Sequence, residues 1–508
     1  IGDPVAPLTS TEMRIIFDSP GPRSIKIGHL QQDSSIGVSV DLDEMLSKHF
    51  AVLGTTGVGK SSAVALLLQQ VLRVRPDLRI MLLDVHNEYA RCFGDSAYVV
   101  SPANLRLPFW LFSFEELVDV FFGGRPVIEE EVEILSEVIP LAKVAYTQYR
   151  ATAERLAIKK ADPKSVGYTV DTPVPYRLQD LLMMIDERMG KLENRSSRMI
   201  YHRLITRIET VSNDSRYAFL FENANVGGDT MAEVIGALFR LPADGKPVTV
   251  MQLAGIPAEV VDSVVSVLCR MAFDFGLWSD GAIPLLFVCE EAHRYASVDR
   301  TIGFGPTRRA IARIAKEGRK YGVFLGLVTQ RPAELDPKII SQCSTLFAMR
   351  LSNDRDQALL RSAVSDTAGD LFSFVPSLGT REALAFGVGV PLPSRLTFTE
   401  LPPQVLPRSE AFANEPISPA GGFDLTFIAS VVERWRGSTV SQKANQDEAQ
   451  RDMRPAAGPD AVPMQPAPAL APEARPEPSR LSLLKKPLTS QADPIAALRQ
   501  SITSQPKR

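Results

Sequence analysis

Apolar residues along this chain alternate between short uninterrupted runs and longer segments rich in helix formers. Phe50–Leu53 is a short apolar run, Ser61–Arg73 carries Ala, Val and Leu throughout, and Leu78–Leu83 is a second apolar run. Strands that alternate with helices in this way form parallel sheets covered by helices on both faces. The pattern therefore predicts an α/β fold that begins near His49.

This alternation stops between about residues 113 and 216. Three segments there combine a helix-forming composition with apolar residues at three- and four-residue spacing. They are Glu129–Ala153, Leu178–Glu193 and Ser197–Val211. Pro140 is expected to kink or divide the first of these helices. We therefore predict a helical insertion at 113–216 that interrupts one core sheet.

The strand pattern returns after the insertion and continues to about residue 401. The predicted helices in this part are Ala258–Phe275 and Arg308–Lys320. The predicted strands are Val248–Leu253, Leu285–Cys289, Val323–Thr329, Thr345–Leu351 and Ala383–Gly387. The core is then built from two parts, residues 46–112 and 217–401.

The two ends of the chain differ from this core. Residues 1–45 hold short apolar stretches such as Met13–Phe17 and Ile36–Val40, broken by Gly and Pro, and we predict a small β-region there. Residues 402–440 form a proline-rich strap with one predicted helix, Leu425–Arg436. Residues 441–508 are dominated by Pro, Ala, Gln and Ser without aromatic residues, which predicts a disordered tail.

The composition is that of a folded globular protein. Hydrophobic residues make up 45% of the 508 residues and charged residues 23%. The sequence contains no run of about 18 apolar residues and no secretory layout in Ile1–Ser10, so we expect no membrane partner. The net charge of -3 implies that any nucleic-acid surface is a local patch or a pore lining.

The cysteines indicate a reducing compartment. They are scattered without a C-x-x-C pair, so free thiols are expected rather than disulfides or metal ligands. They are Cys92, Cys269, Cys289 and Cys343. We therefore predict a cytoplasmic protein.

The strongest chemical signal is a glycine-rich turn between a predicted strand and a predicted helix. Gly54-Thr-Thr-Gly-Val-Gly-Lys60-Ser61 is a full G-x-x-x-x-G-K-[ST] motif. Glycines let successive N–H groups point at phosphate oxygens, Lys60 would reach the β- and γ-phosphates, and Ser61 would bind Mg²⁺. The alternative is a glycine-rich turn that merely caps a helix. The predicted nucleotide-binding residues are Gly54, Thr55, Thr56, Gly57, Val58, Gly59, Lys60, Ser61 and Ser62.

A triphosphatase also needs carboxylates for the metal and for the attacking water. The apolar run Leu285–Cys289 delivers Glu290 and Glu291 at its end. Charged strand ends are common, but beside a P-loop the pair predicts metal coordination by Glu290 and water activation by Glu291. The commoner residue at the metal position is Asp, so Glu290 is a mild departure.

Three further segments carry polar groups suited to such a site. Asp84 ends a strand at the sheet edge where α/β folds bind ligands, although it could simply cap a helix. Gln330 follows another strand and could sense the γ-phosphate or hold the water, although it could lie in a plain polar loop. Arg319 ends a basic helix, where positive charge complements the helix dipole in any case.

Taken together, these residues resemble the motifs of the HerA family, and they occur in the HerA order. The resemblance runs from about Gly28 to Pro402 and is far more specific than a lone P-loop. The matching segments beyond the P-loop are Asp84-Val-His-Asn-Glu-Tyr89, Gly255-Ile-Pro-Ala-Glu-Val-Val261, Glu290-Glu-Ala-His-Arg-Tyr295, Gly318-Arg-Lys320, Thr329-Gln-Arg-Pro332 and Gly379-Thr-Arg-Glu-Ala-Leu384.

The resemblance implies an ATPase of the HerA/FtsK superfamily, of the bacterial type, with a RecA-like core and ATP and Mg²⁺ as cofactors. It implies that Lys60, Asp84, Glu291 and Gln330 belong to the ATP site and that Arg319 is an arginine finger for a neighbouring subunit. It further implies a homo-hexamer that translocates on double-stranded DNA beside a NurA-like nuclease or a sirtuin-type or other defence effector. Residues 1–45 look shorter than the family's N-terminal β-barrel.

Two other interpretations stay open at this stage. An FtsK-like or conjugation-type DNA pump would carry the same ATPase motifs, although the absence of hydrophobic spans weighs against its membrane-tethered forms. A ring scaffold, whose ATP site assembles and gates a partner effector with little motor activity, would carry them too.

Overall fold

The computed structural model of this chain describes residues 7–18, 21–153, 167–222, 224, 228–363 and 366–408, and also residues 428, 429, 432 and 433. The strands are β1 (Ser24–Leu30), β2 (Gly37–Asp41), β3 (His49–Leu53), β4 (Arg79–Asp84), β5 (Ala97–Val100), β6 (Val248–Gln252), β7 (Leu285–Cys289), β8 (Val323–Thr329), β9 (Cys343–Ala348), β10 (Glu382–Gly387) and β11 (Ser394–Phe398). The helices are α1 (Ser10–Phe17), α2 (Leu42–Ser47), α3 (Lys60–Val74), α4 (Phe114–Phe122), α5 (Glu129–Ala153), α6 (Leu178–Gly190), α7 (Arg195–Ser212), α8 (Ala218–Phe221), α9 (Met231–Phe239), α10 (Val261–Trp278), α11 (Gly305–Glu317), α12 (Pro337–Ile340) and α13 (Asp354–Ala363).

All the named strands form one sheet in the order β2-β1-β11-β10-β9-β3-β8-β7-β4-β6-β5. The strands from β9 to β5 are parallel, and those from β10 outward to β2 pair antiparallel. The central strands β3, β6 and β7 are buried along their whole length. Such strands read as continuous apolar runs because helices cover both of their faces.

The sheet divides the interior into two apolar layers. On one face, α3 packs with β1, β2 and α2 around residues such as Val64 and Leu67. On the other face, α10 and α11 pack with α4, α9 and the helical insertion around residues such as Val264 and Ile311. The predicted α/β class, with helices on both faces of a mainly parallel sheet and an inserted helical segment, is confirmed.

The N-terminal segment differs from its prediction in one element. We expected a strand at Met13–Phe17, but α1 occupies Ser10–Phe17. The reason is local: Thr9 accepts the N–H of Glu12, and the Glu12 side chain accepts the N–H of Thr9, which is a capping box. The predicted strand at Ile36–Val40 corresponds to β2. Since β1 pairs with β11, these strands extend the central sheet.

Pro140 lies inside α5 without dividing it into two helices. The sequence pattern also missed the short strand β5 and the hairpin strand β11. Residues 441–508, and most of the predicted helix Leu425–Arg436, lie outside the described residues. The boundaries between the six predicted segments stay predictions. Among the residues that the structure describes, no helix is both long enough and apolar enough to cross a membrane.

Candidate functional site

The order of the parallel strands brings most of the predicted ATP-site residues together at one edge of the sheet. Strands β3, β8, β7 and β4 are consecutive neighbours, and each runs in the same direction. Their carboxyl ends therefore meet, and each is followed by one of the predicted motifs. The P-loop follows β3, Gln330 follows β8, Glu290 follows β7, and Asp84 ends β4.

The P-loop takes the backbone path that its glycines permit. Gly57 and Gly59 have φ angles of 78° and 96°, which lie in the left-handed region that favours glycine. A Cβ on Gly54 would come within 2.8 Å of Met349 Cβ, so the turn can leave β3 here only without a side chain. Helix α3 begins at Lys60, directly after the turn. The turn and helix thus present backbone N–H groups toward one anion site.

Lys60 extends along the P-loop, where its Nζ donates to the carbonyl of Thr55 at 2.9 Å. Burial lowers the pKa of this ammonium, while the nearby carboxylates of Glu291, Glu290 and Glu88 act to raise it. The cation is thus held in a half-buried position beside three acidic groups, and a phosphate chain between them would satisfy its charge.

Glu290 is buried and lies beside other carboxylates. Its Oε1 accepts the hydroxyl of Tyr89 at 3.0 Å, and its Oε2 is buried without a hydrogen-bond donor among the described residues. Burial, together with the charges of Asp84 and Glu88, raises the pKa of Glu290 to about 8. A carboxylate in such surroundings is stabilised by a cation.

Glu291 follows with different surroundings and a strained backbone. Its φ of 49° is left-handed, which is uncommon for a residue with a side chain. Its Oε2 lies 3.3 Å from Nδ1 of His293, and its Oε1 lies 3.7 Å from Nε2 of His86. His293 Nδ1 is also 3.1 Å from the hydroxyl of Thr329. Glu291 is therefore a buried carboxylate with a histidine near each of its two oxygens.

Asp84 shapes the turn that follows β4. Its two carboxylate oxygens accept the backbone N–H groups of Glu88 and Tyr89, each at 3.0 Å. The segment after Asp84 is a turn, so Asp84 does not cap a helix N-terminus, which was the alternative left open by the sequence. Burial raises the pKa of the Asp84 carboxyl, and these two N–H groups act against that.

The turn places Glu88 beside the P-loop. The sequence analysis did not identify Glu88 as a site residue. Ser61 Oγ donates to Glu88 Oε2 at 2.9 Å. The position of Glu88 in the Asp84–Tyr89 motif was the available signal, but only the fold reveals that its side chain reaches the P-loop serine.

Gln330 also contacts the P-loop, because Thr56 Oγ1 donates to its Oε1. Gly54 N–H donates to the carbonyl of Thr329 at 3.2 Å, so the end of β8 and the start of the P-loop are joined by their backbones as well. A substitution of Gln330 would therefore remove a direct contact to the phosphate-binding turn.

Arg319 is the one predicted site residue that the structure separates from the others. It precedes β8, whereas Gln330 follows the same strand, so the length of β8 lies between them. At about 3.3 Å per residue this is roughly 20 Å. Arg319 is exposed and lies near His49, at the amino end of β3. It therefore cannot reach the P-loop of its own chain.

The residues at this edge fit a magnesium nucleotide. Mg²⁺ prefers carboxylate, hydroxyl and phosphate oxygens. The site offers the hydroxyl of Ser61 and the Oε2 of Glu290, which accepts no hydrogen bond among the described residues. Within the described ranges, no group of three or more His, Cys, Asp or Glu side chains could hold a metal ion by itself. A cation here would consequently need phosphate oxygens to complete its ligands.

Comparison with known proteins agrees with this geometry. A sequence model described as the central domain of the helicase HerA matches residues 25–272. A DNA double-strand break repair helicase HerA of Pyrococcus furiosus is 26% identical over 412 residues, which cover 75% of this chain and 70% of that protein. The chain is a HerA-family protein. Together with the P-loop geometry, this assignment makes it an ATPase.

One further relative and one solved structure are also similar to this chain. A probable helicase of Methanocaldococcus jannaschii is 27% identical over 398 residues, 73% of this chain and 69% of that protein. The solved structure of VirB4 of Thermoanaerobacter pseudethanolicus aligns with a TM-score of 0.47 at 15% identity, covering 76% of this chain and 98% of that one. The predicted resemblance to the HerA family is confirmed, and its bacterial type stays a prediction.

Proposed function

We propose that this HerA-family ATPase hydrolyses ATP with Mg²⁺ and uses the energy to move double-stranded DNA through a homo-hexameric ring. The observation that carries the proposal is the meeting of the P-loop, Glu290, Glu291 and Gln330 at the carboxyl ends of neighbouring strands. The names of relatives in Pyrococcus furiosus and Sulfolobus acidocaldarius, DNA double-strand break repair helicases, support DNA as the substrate of the motor.

In this proposal the turn from Gly54 to Ser62 binds the phosphates, and Lys60 supplies the positive charge. Ser61 and Glu290 hold Mg²⁺, which when bound neutralises charge on the phosphates. Glu291 orients and deprotonates the attacking water; its buried Oε2 accepts no hydrogen bond among the described residues, and its nearest basic group is Nδ1 of His293 at 3.3 Å. Gln330 contacts the P-loop through Thr56 and senses the γ-phosphate. Asp84 acts through the turn that holds Glu88 against Ser61.

Arg319 acts in the active site of a neighbouring subunit. The support is its exposed position at the amino end of β8, far from the P-loop of its own chain. A head-to-tail interface that closes into a ring brings every such arginine to a neighbour's site. Arginine fingers of this kind stabilise the charge that develops on the transferred phosphoryl group.

The finer biological role is also part of the proposal. We assign a cytoplasmic protein that works with a NurA-like nuclease or with a sirtuin-type or other defence effector in DNA end processing, repair or anti-phage defence. The effector docks on the ring face built from the N-terminal strands β1 and β2. Support for this face is its edge strand β2, which has a neighbouring strand on one side only among the described residues, although the Asp41 N–H at its end already donates to Gly389 O.

The test is ATP turnover by the isolated full chain with and without linear duplex DNA. A DNA-driven motor predicts turnover that rises several-fold on adding DNA and is absent in the Lys60→Ala variant. Turnover that is unchanged by DNA while a ring still forms would favour the scaffold interpretation. Strand displacement and roadblock assays on the same sample would then separate a translocase from a simple DNA-dependent ATPase.

A further inference from the structure

The residue just before β10, Arg381, lies against the P-loop. The backbone N–H of Arg381 donates to the carbonyl of Val58 at 2.9 Å, inside the phosphate-binding turn. The Arg381 carbonyl accepts the N–H of Phe398 at 2.9 Å, so this residue links the β10–β11 hairpin to the nucleotide site. A Cβ added to Gly59 would come within 3.3 Å of Arg381 Cγ. The arginine side chain therefore crosses the last glycine before Lys60.

Arg381 holds this position with a strained backbone. Its φ is 65°, in the left-handed region where glycine is favoured and a long side chain is rare. Backbone strain of this kind is concentrated at functional sites. Glu291 and Asn87 have the same feature at the same edge of the sheet. Because glycine would satisfy the backbone better here, the side chain of Arg381 must supply something that glycine cannot.

The charge of Arg381 is balanced by a partner that can be displaced. Its Nη2 lies 3.2 Å from Oε2 of Glu400, and the two side chains are 34% and 73% exposed. An ion pair this exposed contributes little to stability, because water competes with both partners. The guanidinium can consequently exchange the carboxylate for a phosphate oxygen, with which arginine forms strong and directional hydrogen bonds.

We propose that Arg381 is a nucleotide-binding residue of its own chain's ATP site, which takes an oxygen of the phosphate chain and leaves Glu400 when nucleotide binds. Lys60 reaches the phosphates from within α3, and Arg381 reaches them from the β10 side of the turn. The inference rests on the proposed ATPase function, but it concerns a residue of the Gly379–Leu384 segment, to which no role in that site was assigned above.

The test compares substitutions to glycine at two left-handed positions. Arg381→Gly removes the side chain and relieves the backbone, so the fold should not lose stability. Asp280→Gly does the same at an exposed position with a φ of 52° at the opposite edge of the sheet, and it serves as the matched control. We expect Arg381→Gly to weaken binding of Mg·ATPγS by about tenfold in calorimetric titration of the full chain, whereas Asp280→Gly stays within twofold.

Two further variants separate binding from structure. Arg381→Lys keeps the charge and should recover part of the affinity. Glu400→Gln removes the competing carboxylate and should bind at least as tightly as the parent chain. Arg381→Gly binding within twofold of the parent, or Glu400→Gln weakening it as much as Arg381→Gly does, would overturn the inference. Absence of Mg·ATPγS binding by the parent chain would instead overturn the proposed ATPase function.

Discussion

Glu290 and Glu291 are neighbours in the sequence but lie in different surroundings. Glu290 is enclosed with Tyr89, Asp84 and Glu88, and its carboxyl has a raised pKa. Glu291 turns through a left-handed backbone toward His293. Two carboxyls whose environments differ in this way are suited to different tasks. We assign the first to the metal and the second to the water.

Replacing Glu291 by Gln should therefore separate binding from chemistry. The amide has nearly the same shape, so affinity for ATP should stay within a few-fold, but it cannot accept a proton from water. We expect turnover to fall by on the order of a hundredfold or more. Parallel measurements of nucleotide affinity and steady-state ATP turnover check both parts.

The control for this experiment is Glu44→Gln, at an exposed position on α2. It makes the same chemical change away from the site and should leave turnover unaltered. Near-normal turnover by Glu291→Gln would mean that the water is activated by another group.

For individual residues of the ATP site, the sequence predicts those that belong to contiguous motifs. It misses those that reach the site from distant parts of the chain. The P-loop and the pair after β7 are recognisable because their spacing is local. Glu88 contacts Ser61 across the sheet edge, and Arg381 crosses Gly59 from more than 300 positions later in the chain. No short-range pattern records such contacts.

Among the elements, the buried strands of the core are the best predicted. β7 and β8 begin and end at the predicted residues, because each apolar run is preceded by a helix- and strand-breaking residue, Pro284 or Gly322, and followed by a polar one, Glu290 or Gln330. β5 was missed because it has four residues and only its ends are buried. α1 was mistaken for a strand because the apolar residues from Met13 to Phe17 outweighed the capping box at its start.

His49 at the start of β3 links two elements and should make the fold sensitive to acid. Its Nδ1 accepts the N–H of Leu325 at 3.0 Å, so the neutral ring carries its proton on Nε2, which donates to Ala315 O at 2.9 Å. Burial lowers the pKa of His49 from 6.5 to about 4. A second proton would face the Leu325 donor.

Folding stability should depend on pH because the folded and unfolded chains bind a proton at His49 with different affinity. Between pH 6.5 and 4 the unfolded chain binds a proton at His49 and the folded chain does not. The contribution of His49 to the free energy of unfolding is therefore fully present above pH 6.5 and is lost as the pH is lowered. The loss from this group is roughly 3 kcal/mol at most. Denaturant unfolding across this pH range should show a smaller loss for His49→Gln than for the parent chain. The exposed His202→Gln should behave like the parent, and an equal loss in all three chains would assign the acid sensitivity to other groups.

On the scale of the whole molecule, the length of β8 makes the ATP site incomplete within one chain if Arg319 takes part in hydrolysis. Arg319→Ala alone and Lys60→Ala alone should each reduce turnover, the first by roughly 10³–10⁵-fold. Mixed rings would contain interfaces where an intact arginine meets an intact P-loop, and some activity should return. Mixtures as inactive as either parent, with mixed rings demonstrated by mass spectrometry, would exclude action in trans.

DNA binding should be insensitive to sequence and strongly weakened by salt. The net charge of -3 gives little long-range attraction, so binding depends on Lys and Arg concentrated in a ring pore. Each neutralised phosphate contributes a slope of about -0.9 to log affinity against log salt. Fluorescence anisotropy with two unrelated duplexes across a salt series measures both properties. A flat salt response, or equal binding by monomers, would contradict a pore.

The pairing of β1 with β11 has a consequence for synthesis on the ribosome. These strands begin at residues 24 and 394, and the P-loop strand β3, which begins at residue 49, finds its partners β8 and β9 only at residues 323 and 343. At about 5–20 residues per second, translation takes roughly 20 to 75 s from β1 to β11 and roughly 14 to 55 s from β3 to β8. During that interval β3, every residue of which is buried in the finished fold, has no neighbouring strand. We therefore expect the early strands of this sheet to need protection from aggregation until β8 and β9 have emerged.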